Sequence, residues 1–83
     1  MFGYKFDIQL LIDGEDLSED DISEYITNYI DGDSLLVVGD EELIKVHYHT
    51  NTPWKVLGYC SSLGDIYDIV IENMIRQANG LNG

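Results

Sequence analysis

Cysteine is nearly missing from this chain. Cys60 stands alone among 83 residues, so no intrachain disulfide can form and nothing points to an oxidising compartment. Basic residues are almost as scarce. Four Lys and Arg face sixteen Asp and Glu, a net charge of −12. Phosphate backbones and anionic headgroups are repelled by such a surface, which argues against nucleic acid and against membrane binding. No apolar run approaches the ~20 residues of a membrane helix. The opening stretch, Met1 through Asp7, reads as strand and lacks the layout of a signal peptide. A cytoplasmic location is the expectation.

Nucleotide chemistry is missing as well. The sequence holds no P-loop, no Gly-x-Gly-x-x-Gly and no Cys-x-x-Cys. Ser61 and Ser62 have no histidine nearby in sequence and form no nucleophile elbow. The one arginine, Arg76, lies near the carboxy end, far from any loop that would cradle a phosphate as an acylphosphatase-like hydrolase requires. The acidic stretches at Asp31-Gly32-Asp33 and Gly39-Asp40-Glu41-Glu42 lack the spacing of an EF-hand and read as turns.

What remains is a patterned globular chain, 45% hydrophobic. Residues 4–12 alternate, with Tyr4, Phe6, Ile8, Leu10 and Ile12 on one face and Lys5, Asp7, Gln9 and Leu11 on the other. That period predicts a half-buried strand. Ser18 then reads as an N-cap, with Asp21 three residues on and Leu17 and Ile22 at the staple positions. Ile22, Tyr25, Ile26, Tyr29 and Ile30 follow helical spacing and are expected in the core, with Gly32 as a left-handed stop.

A hairpin follows, with strands over 34–38 and 43–49 and a turn at Gly39-Asp40-Glu41. Thr52-Pro53 opens a second helix with stripe Pro53, Val56, Leu57, Cys60 and Leu63, which Gly64 ends. Cys60 is expected as a small core residue, Tyr59 as core, and Trp54 as a partly exposed contact. A last strand spans 66–74.

The order β-α-β-β-α-β predicts an α+β, ferredoxin-like sandwich. Right-handed crossovers place the antiparallel strands in the order 4-1-3-2 with two helices on one face. Residues 1–76 form one domain, and 77–83 read as a disordered tail.

One sheet face is then left open. It carries Lys5, Asp7 and Gln9 from the first strand, Lys45, His47 and His49 from the third, and Asp68 and Glu72 from the fourth. Residues two apart on a strand share a face, about 6.6 Å apart. Both imidazoles of His47 and His49 can therefore reach one ion, and Asp7 on the adjacent strand can add an oxygen. Two histidines and a carboxylate suit zinc or another divalent transition metal. By spacing alone His-x-His is a weak signal, and the pair reads first as two exposed polar residues on an open strand.

The stretch from Gly32 through Thr50, GDSLLVVGDEELIKVHYHT, resembles the GDSLVVVGDEELVKVHVHT signature of the catalytic component of fatty acid kinases. Asn51 through Leu57 is similar to that family's NNPGKVLEYA segment, with Trp54 where glycine is common, and Glu72-Asn73-Met74 resembles its closing ENM. The resemblance implies the middle domain of a kinase whose nucleotide-binding domain has no counterpart here. It therefore implies no catalysis by this chain alone.

It further implies a homodimer or neighbouring kinase domains, and a fatty-acid-binding partner of the DegV type. It also implies a zinc-type site on His47 and His49. Asp7 stands where the family often has cysteine in a GYCTEF strand, a harder ligand. The other reading is a stand-alone small-ligand-binding regulatory domain of ferredoxin-like fold.

Overall fold

The computed structural model describes residues 3–83. Its strand β1 is Phe6–Gly14, so the alternating run pairs from Phe6 rather than Tyr4. The strand reading of Met1 and Phe2 lies outside the described residues. Then come α1 (Glu19–Tyr29), β2 (Gly32–Gly39), β3 (Leu43–Thr50), α2 (Pro53–Ser61), β4 (Gly64–Asn73) and α3 (Met74–Ala78). The fold is α+β. Its single sheet is antiparallel throughout, in the order β2-β3-β1-β4.

The parity of the two central strands decides everything that follows. Ile8, Leu10 and Ile12 of β1 and Ile44, Val46 and Tyr48 of β3 are buried against Ile22 and Ile26 of α1 and Val56 and Cys60 of α2. Each such aliphatic side chain contributes about 1.5–3 kcal/mol by leaving water. A slip of one residue would turn the whole apolar set outward, so the register is strongly specified. Polar bonds clamp the same strand. The Tyr48 hydroxyl donates to the Ile30 carbonyl at 2.6 Å, and Thr50 Oγ1 donates to the Asp31 carbonyl at 2.7 Å. These are carbonyls at the end of α1 that lack helical partners. With Tyr48 and Thr50 held inward, His47 and His49 must face the other way.

Ser18 caps α1 as its sequence predicts, accepting from the Asp21 backbone N–H at 3.2 Å. Glu19 in the first turn reaches the β2–β3 hairpin and accepts from Gly39 N at 2.8 Å. The hairpin turn is closed by Asp40, whose Oδ1 accepts from Glu42 N and Leu43 N at 2.8 and 3.0 Å. Those two backbone donors hold the Asp40 carboxyl below its ordinary range.

Several local readings are corrected. Gly32 is no left-handed stop: α1 ends at Ile30 in extended conformation, and Gly32 lies in β2. Its hydrogen side faces the His49 carbonyl and the Tyr48 ring, so a Cβ there would collide with both. Gly64 begins β4 rather than ending α2, packed against the Asp13 carbonyl in the same way. Thr52 makes no side-chain cap to α2; its own N–H donates to Thr50 Oγ1 at 3.2 Å. Tyr25 and Tyr29 are exposed, at 39% and 69%, because Ile22, Ile26 and Ile30 alone fill the buried stripe of α1.

Both edge strands carry a bulge. Two residues of β2, Ser34 and Leu35, stand between register pairs Asp33–His49 and Leu36–His47. On β4, Asp68 and Ile69 stand between Tyr67–Leu11 and Val70–Gln9. Ser34 and Asp68 take φ of 57° and 50° there. A bulge twists an edge and spoils it as a template for further strands. The second bulge also shifts β4 by one residue. Tyr67 and Val70 join the open face, and Ile66 and Ile71 pair with the inward residues Ile12 and Ile8. Chain after Asn73 turns into α3, capped by Asn73 Oδ1 accepting from Arg76 N at 3.0 Å. The aperiodic tail folds back on it, with Leu81 N donating to the Arg76 carbonyl at 2.8 Å.

Candidate metal centre

The open face is divided by its own residues. Register pairing lines up Asp33, His49, Asp7 and Glu72 across β2, β3, β1 and β4 as a polar row. The next row is Leu36, His47, Gln9 and Val70, and the third is Val38, Lys45, Leu11 and Tyr67. The face thus runs from carboxylates and imidazoles at one end to an apolar patch at the other. Asp68, expected on this face as an alternating residue, sits instead in the β4 bulge, though it still reaches the rim of a cavity of about 220 Å³ with Gln9, Leu11, Lys45 and Val70.

All three sequence-predicted ligands meet at the polar end. Asp7 stands directly opposite His49 and diagonal to His47. The two ring nitrogens His47 Nε2 and His49 Nε2 are 3.2 Å apart. Asp7 Oδ1 lies 3.0 Å from His47 Nε2, and Asp7 Oδ2 lies 3.8 Å from His49 Nε2. These side chains are half-buried, with 28%, 25% and 18% of His47, His49 and Asp7 exposed. No other cluster of three or more potential metal-ligating residues occurs among the described residues.

Two physical tests bear on whether these residues fit an ion. The first is geometric. Donors at 2.0–2.1 Å from a tetrahedral zinc are separated by ~3.3 Å along an edge of the tetrahedron. The observed 3.2 Å between nitrogens and 3.0 Å from nitrogen to oxygen are close to that edge. The second is polar accounting. Asp7 Oδ1 is buried and makes no hydrogen bond, despite the nearby imidazole. A buried carboxylate oxygen with no donor is costly, and buried polar atoms are nearly always satisfied. A cation between the three groups would satisfy that oxygen and both nitrogen lone pairs together. The donor set, two imidazoles and one carboxylate, is one that zinc and neighbouring transition metals accept.

A fourth group is invisible to sequence reasoning. Asp33 Oδ1 lies 3.6 Å from His49 Nδ1, on the far side of the ring from Asp7. A carboxylate there favours the proton on Nδ1, which leaves the Nε2 lone pair free to point at Asp7 and His47. In sequence Asp33 reads as part of a turn; the β2 bulge is what pairs it with His49. Glu72, opposite Asp7 on the other side, is engaged elsewhere, accepting from Gln77 Nε2 at 3.1 Å.

Cys60 takes no part. It is fully buried on the helical side of the sheet, as expected of a core residue, and burial pushes its thiol up to about 12. Trp54 is 62% exposed at the start of α2. None of the helices among the described residues is long and apolar enough to cross a membrane.

A sequence model of one family, the middle domain of fatty acid kinase proteins of the A-subunit-like type, matches residues 3–81. The chain is also similar to an uncharacterized protein of Staphylococcus aureus strain USA300, 50% identical over 46 residues. That alignment covers 55% of this chain and 8% of the relative. Uncharacterized proteins of strains N315 and Mu50 align with the same figures. The chain thus spans only a small part of the length of the curated relatives it matches.

Proposed function

The chain belongs to the family of fatty acid kinase A-subunit-like middle domains, and from that premise we propose that it is a non-catalytic, metal-holding assembly module of a fatty acid kinase-like protein. The observation that carries this reading is the convergence of Asp7, His47 and His49, with Asp7 Oδ1 buried and without a hydrogen bond. These three residues would hold a zinc-class ion and leave one position for water or a partner's ligand. Such an ion supplies a fixed positive charge and a link between β1 and β3. Binding to the folded state alone would stabilise the domain by mass action.

The ferredoxin-like label belongs to the same reading. Counted from the β4 edge, the sheet order is 4-1-3-2. The apolar end of the open face supports an assembly role. Leu36 and Val38 on the β2 edge and Tyr67 and Val70 on the β4 edge remain 45%, 43%, 39% and 48% exposed, with Lys45, His47, Gln9 and Leu11 of the central strands between the two pairs. Exposed apolar residues on both edges of one sheet face are what a contact surface offers a partner. A second copy or a neighbouring kinase domain would cover it, in the cytoplasm, with a DegV-type fatty-acid-binding protein as the kinase's partner. The competing reading is a small-ligand regulatory domain, favoured by the 220 Å³ cavity beside Lys45. A thermal-shift screen with small metabolites separates the two.

Elemental analysis of the purified chain, with a His47→Ala, His49→Ala double variant beside it, tests the metal reading. Stoichiometric zinc or a similar ion that the variant loses supports it. No retained or bindable metal in either protein, or equal metal in both, overturns it.

A further inference from the structure

Three tyrosines form a second constellation, on the opposite side of the molecule from the histidines. Tyr25 of α1 stacks on Tyr59 of α2, with ring centroids 3.7 Å apart and planes within 8°. Tyr29 continues the row at 4.8 Å from Tyr25, tilted by 39°. Beneath the row, Ile22, Ile26, Ile30, Val56 and Cys60 are buried at 3% exposure or less, and Tyr59 packs partly against them. The row is nevertheless ordered across two helices and open to solvent, with Tyr29 69% exposed.

Clefts of about 340 and 550 Å³ flank the row. Asp21 and Glu24 are the charged residues of the first, and Lys55 that of the second, where Gly58 also lines the wall. Neither carboxylate has a lysine or arginine within ion-pair distance among the described residues. The chain cannot supply many, having four basic residues in all. Aromatic faces carry negative quadrupole density and attract planar cations, which carboxylates then hold by charge-assisted hydrogen bonds. Arginine fits both demands better than lysine, because its guanidinium is flat, weakly hydrated and forked.

We propose that the tyrosine cleft between α1 and α2 docks an arginine-bearing basic segment of a partner protein, with the guanidinium against Tyr29 and Tyr25 and its N–H groups on Asp21 and Glu24. Charge complementarity selects this occupant. A nucleic acid or an anionic membrane would meet repulsion at the same carboxylates. The surface is independent of the metal centre, which lies across the sheet.

The test is an NMR titration of the 15N-labelled chain, at about 0.15 M salt to screen diffuse attraction. The probes are a peptide of three arginines spaced by glycine and its lysine counterpart. Saturable shifts confined to α1, α2 and the three tyrosine rings are expected, with the arginine peptide binding about tenfold tighter than the lysine peptide. Tyr29→Ala and Asp21→Asn should each weaken it by about tenfold. A Glu41→Gln, Glu42→Gln control in the distant hairpin turn should change nothing. Equal binding of both peptides, shifts spread over the acidic surface, equal weakening by the control, or no binding at all would each overturn the proposal.

Discussion

The two faces of this sheet come from the same strands and obey opposite rules. On the covered face, β3 contributes Ile44, Val46 and Tyr48, each at most 3% exposed. On the open face the same strand contributes Lys45, His47 and His49. The covered face is set by volume and apolarity, and its residues could be exchanged for others of like size. The open face is set by where individual atoms stand, and it leaves Asp7 Oδ1 without a hydrogen bond. Stability therefore resides on one side and the candidate chemistry on the other. An unsatisfied polar atom on an otherwise well-satisfied scaffold calls for an explanation that packing does not give, and a bound ion would supply one.

That division predicts how substitutions should sort. The largest effect is expected from Ile26→Ala, which empties a fully buried position and should cost about 2–5 kcal/mol in chemical denaturation. Gly32→Ala should follow at about 1–3 kcal/mol, because its Cβ meets the His49 carbonyl and the Tyr48 ring. Both act through the covered side. His47→Ala should do the reverse, abolishing metal binding while shifting metal-free stability by no more than about 0.5 kcal/mol. If it unfolds the chain as Ile26→Ala does, the division between faces fails.

Subtler changes sharpen the comparison. Asp33→Asn should lower zinc affinity by about 10- to 100-fold in a competition titration, as removal of a carboxylate behind a ligating histidine does. Equal affinity would leave Asp33 a surface neighbour only. The smallest effect is pH-dependent. The folded-state pKa of Asp40 is lowered, so its stabilisation is present above the ordinary carboxylate value of 3.8 and is lost as pH falls through the lowered folded value. Asp40→Ala should thus be less stable than the parent at neutral pH, and the gap should narrow on acidification. A gap unchanged between neutral pH and pH 3 would contradict that origin.

How much of this is legible in the sequence follows from which forces are local. Period-two alternation of Ile8, Leu10 and Ile12 and the Ser18 cap depend on neighbours in the chain, and both are readable. The meeting of Asp7 with His47 and His49 is readable because two adjacent strands with known inward faces leave little choice for the outward ones. The bulges are not readable. Ser34 and Asp68 adopt left-handed φ with no glycine to announce it, and they move Asp33 beside His49 and Tyr67 onto the open face. Gly32 and Gly64 mislead for a related reason. Their lack of a side chain serves close approach to a neighbouring strand, which only tertiary structure reveals. The tyrosines on α1 obey helical spacing but lie outside the stripe that three isoleucines already fill.

The most direct test of the account is X-ray absorption at the zinc edge on the zinc-loaded chain. The account predicts a shell of nitrogen and oxygen at ~2.0–2.1 Å with two imidazoles and no sulfur. A sulfur scatterer at ~2.3 Å, the distance of a thiolate such as Cys60 pulled from the core, or zinc with no imidazole in its shell, would contradict it.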